Sequence, residues 1–490
     1  MAFFSWLQPL QKAYIAFALI CFAFYAKVIH RAYFTSLRKI PGPWYVRLTH
    51  LVLKYYVLTG RRVHYIHSLH QTYGHIVLIA PSEVSCSSLS SLKIIHRISR
   101  TFLKSLWYLS FAPEPEGVFN MVDPQEHAVR RKLFAHAFSK SSLKATWEID
   151  VRKKVDMAVK KIKRDALVGE VDIMKFFMFM ATDVIGHICF GESFGTLENE
   201  QEIQYIEDLR LQSQVGGARA EFPTLFKIEK MSGLSLFEGA TYRLDKYALL
   251  AVQNAKSQSD ATPNMFRKIL AEAKSGSMEG PLSDLDIQRE ASNFIIVGTD
   301  TTANTLTFLV YKILKNPELQ RQLEDEVETL SDDFESKDAE VLPLLDAVIN
   351  EGLRLWGAAP GSLPRVVLHE GVELDGYFLP GSITVSTQAF TIHRDPEIFP
   401  DPESFNPGRW LGPKSDDFKT AHHPFGAGTR TCLGILLARM ELYLTLALFF
   451  WECKGMRIAS SQDDAEMDIE DYFIISPKGH KCAVTMNERF

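Results

Sequence analysis

The chain has 490 residues, 46% of them hydrophobic, 11% aromatic and 23% charged. That much apolar material fills a large core, which excludes disordered, collagen-like and small disulfide-scaffold classes. Fifty-four basic against 59 acidic residues leave a net charge of −5, which argues against a dedicated nucleic-acid binder, and the six scattered cysteines form neither a disulfide framework nor paired zinc spacings.

Charge is uneven along the chain. The first acid is Glu83 and nine basic residues precede it, so the first 82 residues carry +9 and the remainder −14. Within this leader Ala13 to Ala26 is an unbroken apolar run, extended by Val28 and Ile29. Counted from Phe3 it approaches the roughly 20 residues that span a bilayer, with Lys12 and Lys27 able to snorkel. A cleaved signal peptide would put its basic residues before the apolar core. Here Lys27, His30, Arg31, Arg38 and Lys39 follow it, and no small-x-small cut site is present. A buried core helix is the other alternative. On the anchor reading, the positive-inside bias leaves the bulk of the chain cytosolic. Residues 1–40 are thus expected to be a membrane anchor and basic linker. Pro41-Gly42-Pro43 makes a stiff, non-helical break, and 41–490 form the body.

In the body, His64 to Leu92 reads as short strands and turns, with apolar Ile76 to Ala80 bounded by Gly74 and Pro81. From about Asp123 to Asn316 the periodicity is mostly helical, broken by polar loops near Gly216-Gly217 and from Ser257 to Ser283. Gly371 to Thr387 has β character, His393 to Pro413 is an irregular Pro/Asp-rich meander, and a helix is expected over about Leu433 to Phe450. Nothing resembles a linker between independent cores. The expected fold is mainly α with minor β sheets, a single large domain preceded by an N-terminal transmembrane helix.

Ser283 and Asp286 form a capping pair for a helix of about 32 residues that Pro317 stops. Its flanks, Phe294 to Val297 and Leu306 to Leu314, are apolar on nearly all sides, so it runs through the core. Its middle, Gly298 to Thr305, is rich in Gly, Thr and Asp, which are poor helix formers and costly to bury. Back-bonding of the Thr hydroxyls to the preceding turn is one account. The other is a kink or bulge opening a groove lined by an acid and a hydroxyl, a pair able to relay protons.

Glu351 and Arg354 stand three apart on a helix from about Leu344, among Val348, Ile349, Leu353, Leu355 and Trp356. A pair buried there needs further partners, and Arg409 is the candidate third member. Glu207/Arg210 and Glu318/Arg321 share the spacing but read as solvated surface pairs. Most informative is Phe425-Gly426-Ala427-Gly428-Thr429-Arg430-Thr431-Cys432-Leu433-Gly434. Two glycines permit a tight backbone, Arg430 supplies a fixed cation, and Cys432 sits where an apolar helix begins. Helix starts and nearby Arg lower a thiol's pKa, and free N–H groups can tune a sulfur that holds a metal. Cys21, Cys86, Cys189, Cys453 and Cys482 are read as inert thiols.

At this loop the chain resembles the cytochrome P-450 haem-thiolate monooxygenases, microsomal type, fitting the pattern Phe-x-x-Gly-x-Arg-x-Cys-x-Gly at every defined position. The resemblance implies haem b (iron protoporphyrin IX) as cofactor, Cys432 as axial thiolate ligand of its iron, and Phe425 and Arg430 in the haem-binding loop. Arg430, His127 and Arg131 become propionate contacts, with Arg365 a further one. Glu351, Arg354 and Arg409 look like the family's structural ionic triad. Asp300 and Thr301 occupy the acid–alcohol positions that deliver protons to dioxygen. Val297 departs from the family's usual Ala, putting a bulkier side chain at the substrate pocket. Phe179 to Gly186 is similar to filamentous-fungal members acting in secondary metabolism.

The implied function is oxidation of a lipophilic small molecule, such as a fungal terpenoid, using dioxygen and electrons from NADPH. Anchor and one domain use up the length, so electrons are expected from a separate NADPH-cytochrome P-450 reductase. The implied setting is the endoplasmic reticulum membrane, single-pass, in contact with membrane lipid and with no nucleic-acid partner. Substrate contacts are expected from Phe102 to Phe119, about Arg210 to Phe226, Val297, Ala358 to Leu363, and Phe473-Ile474. The alternatives are a haem-thiolate isomerase or dehydratase that consumes no dioxygen, and a non-enzymatic haem carrier or sensor.

Overall fold

The computed structural model describes residues 2–99, 102–111, 115–200, 204–232, 238–257, 264–266 and 282–487. The apolar leader is one helix, α1 (Ala2–Phe34), whose Tyr14, Phe17 and Phe22 are 65–73% exposed. Its segment Lys12–Phe34 has mean hydropathy 1.8 and is long and apolar enough to cross a bilayer.

In the body, helix α2 (Pro124–Ala135) starts where Asp123 accepts hydrogen bonds from the amides of Gln125 and Glu126, with Pro124 pre-set for the first turn. Helix α3 (Glu148–Val168) buries Val151, Val155, Val159 and Ile162 at helical spacing. Helix α4 (Ile173–Phe190) is apolar enough to span a membrane but is 89% buried, which makes it the core helix of the body. Helix α5 (Asp284–Leu314) opens with the expected reciprocal cap. Ser283 Oγ accepts from the Asp286 amide (3.1 Å) and the Asp286 carboxylate accepts from the Ser283 amide (2.9 Å). At 1.5 Å per residue α5 is about 46 Å long. It runs against α4 so closely that a Cβ at Gly298 would stand 2.7 Å from Ile185 Cγ1. Helices α6 (Pro343–Trp356) and α7 (Ile435–Glu452) complete the apolar core around α5.

No π-bulge interrupts Gly298 to Thr305: α5 is an unbroken α-helix. Its threonines return their hydroxyls to the preceding turn, Thr301 to Val297 O (2.8 Å), Thr305 to Thr301 O (2.9 Å) and Thr307 to Ala303 O (2.7 Å). Back-bonding satisfies these side chains without breaking the ladder.

Five short strands form one sheet in the order β1-β2-β5-β4-β3: β1 (Ile76–Ala80), β2 (Glu83–Cys86), β3 (Leu103–Lys104), β4 (Arg365–Val366) and β5 (Thr384–Thr387). A smaller apolar cluster under it includes Ile40, Val46, Ile76, Val84 and Val385. The antiparallel pairing of β3 with β4 sets Lys104 directly opposite Arg365, so two cations stand side by side. Strands β6 (Ile469–Tyr472) and β7 (Ile474–Pro477) form a hairpin turned by Phe473 at φ +87°. A Phe in that region is strained, and the turn aims its ring inward among Trp107, Phe111 and Phe119.

Candidate active site

The loop before α7 is held by a hydrogen bond from the Cys432 amide to Phe425 O (2.9 Å). Gly428 is required there: its φ is +70°, and a Cβ would stand 2.1 Å from His96 O. Cys432 lies three residues before the first residue of α7 and faces a cavity of about 280 Å³. Burial pushes its thiol pKa up, against the Gly434 amide directed at the sulfur and the nearby Arg131, which both pull it down. Burial thus outweighs the helix start that the sequence had favouring thiolate, and the cation acting on the sulfur is Arg131. Arg430 spends donors on backbone carbonyls, Met121 O (2.8 Å) and Val122 O (3.2 Å), tying the loop to the start of α2.

Phe425, Arg430, His127, Arg131, Arg365 and Thr301 line the same cavity as Cys432. His127 and Arg131 do so from successive turns of α2. Lys104, inside the Phe102 to Phe119 segment expected at the pocket but not read as a rim cation, joins them from β3, buried and placed over the Tyr108 ring (4.0 Å). Burial first, then Arg365 and Arg430, holds its pKa well below the ordinary lysine value. Burial also brings Arg430 down to about 10, with Arg365 adding to the effect. His127 is driven to about 3 by burial and by Arg430, Lys104, Arg131 and Arg365. The rim therefore gathers cations, while the carboxylate in the cavity lining, Glu441, bonds Thr302 and none of them. Arg365 Nε and Nη1 are buried with no hydrogen-bond partner. Unmet donors of this kind suit an anionic group brought in from outside the chain. The remaining walls are mostly apolar, so a flat hydrophobic group carrying carboxylates fits the residues present.

Glu441 was also missed, although a lone acid in the apolar run of α7 is a readable signal. It is 2% exposed, borders the cavity, and accepts one hydrogen bond, from Thr302 Oγ1 (2.9 Å). Burial raises its pKa to about 8.

Asp300 and Thr301 do not share a groove. Thr301 faces the Cys432 cavity, whereas Asp300 lines a separate cavity of about 30 Å³ with Met174, Met178, Asn304, Gln214 and His480. Successive helical residues point about 100° apart, and an unbroken α5 keeps them so. Val297 is 38% exposed into the main cavity. Of the expected substrate contacts, Val118, Phe119, Ala358, Leu363, Phe473 and Ile474 line it. The expected stretch from about Arg210 to Phe226 contributes no residue to it, Gln214 lining the smaller cavity instead, and the Ser257 to Ser283 loop lies largely outside what is described.

Glu351 is fully buried and accepts five hydrogen bonds. Two come from Arg354 (both 2.8 Å), and the others from Arg409 Nε, Trp410 Nε1 and the Asn406 amide (each 2.9 Å). Burial alone would raise its pKa, but the Arg354 bonds carry it below the usual value. Arg409 is thus the third member that the sequence anticipates, and Glu318–Arg321 is an exposed surface pair as expected.

The sequence model of the family described as Cytochrome P450 matches residues 39–482. The chain is 38% identical to the cytochrome P450 monooxygenase stcB of Emericella nidulans, over 94% of this chain and 90% of that protein. It is 39% identical to tazI of Aspergillus terreus (93% and 95%) and 36% identical to aflV of Aspergillus parasiticus (94% and 93%), both also named cytochrome P450 monooxygenases. Family members bind haem b through a cysteine thiolate and draw electrons from a redox partner to oxidise lipophilic substrates. A match spanning nearly all of the body, with an intact cysteine loop against a cation-rimmed apolar cavity, makes this chain a haem-thiolate monooxygenase of the cytochrome P450 family.

Proposed function

We propose that Cys432 would hold the haem iron through its sulfur, and that residues 41–490 form the catalytic domain. The observation that carries this reading is the opposition of Cys432 and Thr301 in one cavity whose rim holds Lys104, Arg131, Arg365 and Arg430. These cations, with His127 beside them, would hold the propionates, and Phe425 would pack against the macrocycle. When bound, the haem supplies dioxygen activation, supported by thiolate donation. Thr301 donates its proton to Val297 O, which leaves the Oγ1 lone pairs facing the cavity as acceptors. Asp300 stands one residue away on the other side of α5, in the small cavity. A proton crosses between them through a rotation of Asp300 or a bridging water, with room in that cavity for about one or two waters.

α1 serves as a single-pass anchor in the endoplasmic reticulum membrane, with the basic leader on the cytosolic side and lipid around Lys12–Phe34. An NADPH-cytochrome P-450 reductase supplies the electrons, docking near the Cys432 face. The substrate is a lipophilic fungal metabolite held mainly by apolar contacts. The reduced carbon monoxide complex tests the ligand: wild type is expected to show a thiolate-type Soret band that Cys432→Ser abolishes. With labelled dioxygen, one labelled atom should enter product per NADPH consumed. Turnover without dioxygen would instead favour the isomerase alternative.

A further inference from the structure

A single residue joins β6 to β7, because Tyr472 pairs directly with Ile474. That residue, Phe473, has φ +87°, close to the about +75° of the rare classic γ-turn and in a region where glycine is the ordinary occupant. The turn brings its ring to the cavity wall, against Phe111 (4.9 Å), Phe119 (5.5 Å) and Trp107 (5.9 Å). A strained conformation of this kind persists only where the surroundings over-determine it.

Much of that constraint runs through Asp471. Its Oδ1 accepts the Phe473 amide (3.0 Å), closing a side-chain turn two residues on. Its Oδ2 accepts the Val63 amide (3.2 Å) at the start of the helix Arg62–Tyr73, and its own amide bonds Gly60 O (2.8 Å). The other arm of the hairpin is pinned by the Ile475 amide to Ala358 O (2.8 Å), and Ala358 is itself a cavity residue. Asp471 is 4% exposed and lies outside the cavity lining. Arg62, whose charge acts on it, is bonded to Glu83 instead (2.9 Å). An acid buried against backbone amides, with no bonded counter-charge, is costly as filling. What it does here is gather the Phe473 and Val63 amides at one carboxylate, which fixes the tip of the hairpin against that helix.

We propose that Asp471 is a positioning residue for the cavity: from outside the lining it locks Phe473 in its left-handed turn and so fixes the aromatic wall that a lipophilic ligand meets. Without the lock, Phe473 relaxes to an ordinary negative φ and its ring leaves the wall. This rests on the reading of the cavity as the substrate site and adds a residue that sets its shape without touching the ligand.

The probes are imidazole and clotrimazole, which share the ring that ligates haem iron and differ by a bulky triaryl group. Binding to the haem-loaded full chain in detergent is followed by the Soret shift. Near-ultraviolet circular dichroism of the Trp107–Phe473 contact reports the ring without any ligand. Asp471→Ala should weaken clotrimazole about tenfold, leave imidazole within about twofold and change the dichroism. Phe473→Gly removes the ring and takes the same φ without strain. On that background Asp471→Ala should alter clotrimazole less than about twofold, because no ring remains to be placed. An acid with only a scaffold role would cost the same in both backgrounds, and that result overturns the inference, as does an Asp471→Ala protein that binds clotrimazole like wild type. If Asp471→Ala does not fold, the double variant decides: rescue by glycine supports the lock, and failure in both backgrounds overturns it. A haem-loaded wild type whose Soret band clotrimazole leaves unmoved overturns the substrate-site reading instead, while the dichroism still reads Asp471.

Discussion

Two buried charge clusters border the same fold and are finished differently. Around Glu351 every charge is closed: the carboxylate takes five donors, and Arg354 sends its remaining Nη1 to His393 O and Pro402 O (both 2.7 Å). Around the cavity stand Lys104, Arg131, Arg365 and Arg430, the lining carboxylate Glu441 bonds Thr302 and none of them, and two Arg365 donors go unmet. Burial penalises charge equally in both places, so the difference lies in the missing partner. A closed cluster fixes backbone geometry. An open one stores affinity for an anion that the chain does not supply.

The widest separation between the two comes from removing one partner. Glu351→Gln should destabilise the protein by about 3–5 kcal/mol, because Arg354 and Arg409 are left buried without their counter-charge. Chemical denaturation of the haem-free and haem-loaded forms should show the same loss in both. A loss below about 1 kcal/mol would mean that the cluster is not structural.

Acid should strike the meander beside the closed cluster next. His393, His422 and His423 pack ring to ring at 5.1–5.6 Å. Burial first holds all three below the ordinary 6.5, His422 at about 3 and His423 at about 4. Their folded values lie under the unfolded one, so their contribution is whole above pH 6.5 and drains as pH falls toward 4 and then 3. At pH 5 each of His422 and His423 should cost about 2 kcal/mol relative to pH 8. Thermal unfolding of wild type against His423→Phe between pH 8 and pH 5 checks this. Equal slopes in the two proteins would dismiss His423 as a source.

How far these clusters could be read from the sequence depends on how local their signals are. The Ser283 cap and the Glu351–Arg354 pair are each written within four residues, and geometry finds them as anticipated. Lys104 was not legible, because its place on the rim is made by pairing of β3 with β4, a contact between distant segments. Asp300 and Thr301 were read as one groove because adjacency in sequence resembles adjacency in space. Which side of α5 meets which cavity is decided by α4 and the β6–β7 hairpin, and the sequence of α5 carries no record of them. The bulge failed for a related reason. The same threonines that weaken a helix also back-bond it, and only the packed structure chooses.

Between the closed and open extremes stands Glu441, with a single partner. Thr302→Val removes that hydrogen bond and leaves the carboxyl buried alone. The loss should be about 1–3 kcal/mol, with the carboxyl pKa moving further above about 8. Infrared difference spectra across pH 6 to 10 should place the carboxyl band's midpoint higher in the variant. An unmoved midpoint would show that Thr302 does not hold Glu441.

The smallest change in stability should also be the one with opposite sign. Arg365→Leu deletes a buried guanidinium with two unmet donors and relieves its repulsion of Lys104 and Arg430. The haem-free protein should therefore stay within about 1 kcal/mol of wild type, on the stable side. The same substitution removes a cation that a propionate would meet, so haem should leave at least about tenfold faster, by transfer to an apo-globin acceptor. A structural arginine would move both measurements the same way, as Glu351→Gln is expected to. Only a residue kept for its ligand makes the empty protein firmer and the loaded one leakier. If Arg365→Leu instead costs the haem-free form as much as Glu351→Gln does, the cation rim is part of the scaffold and the contrast between the clusters fails.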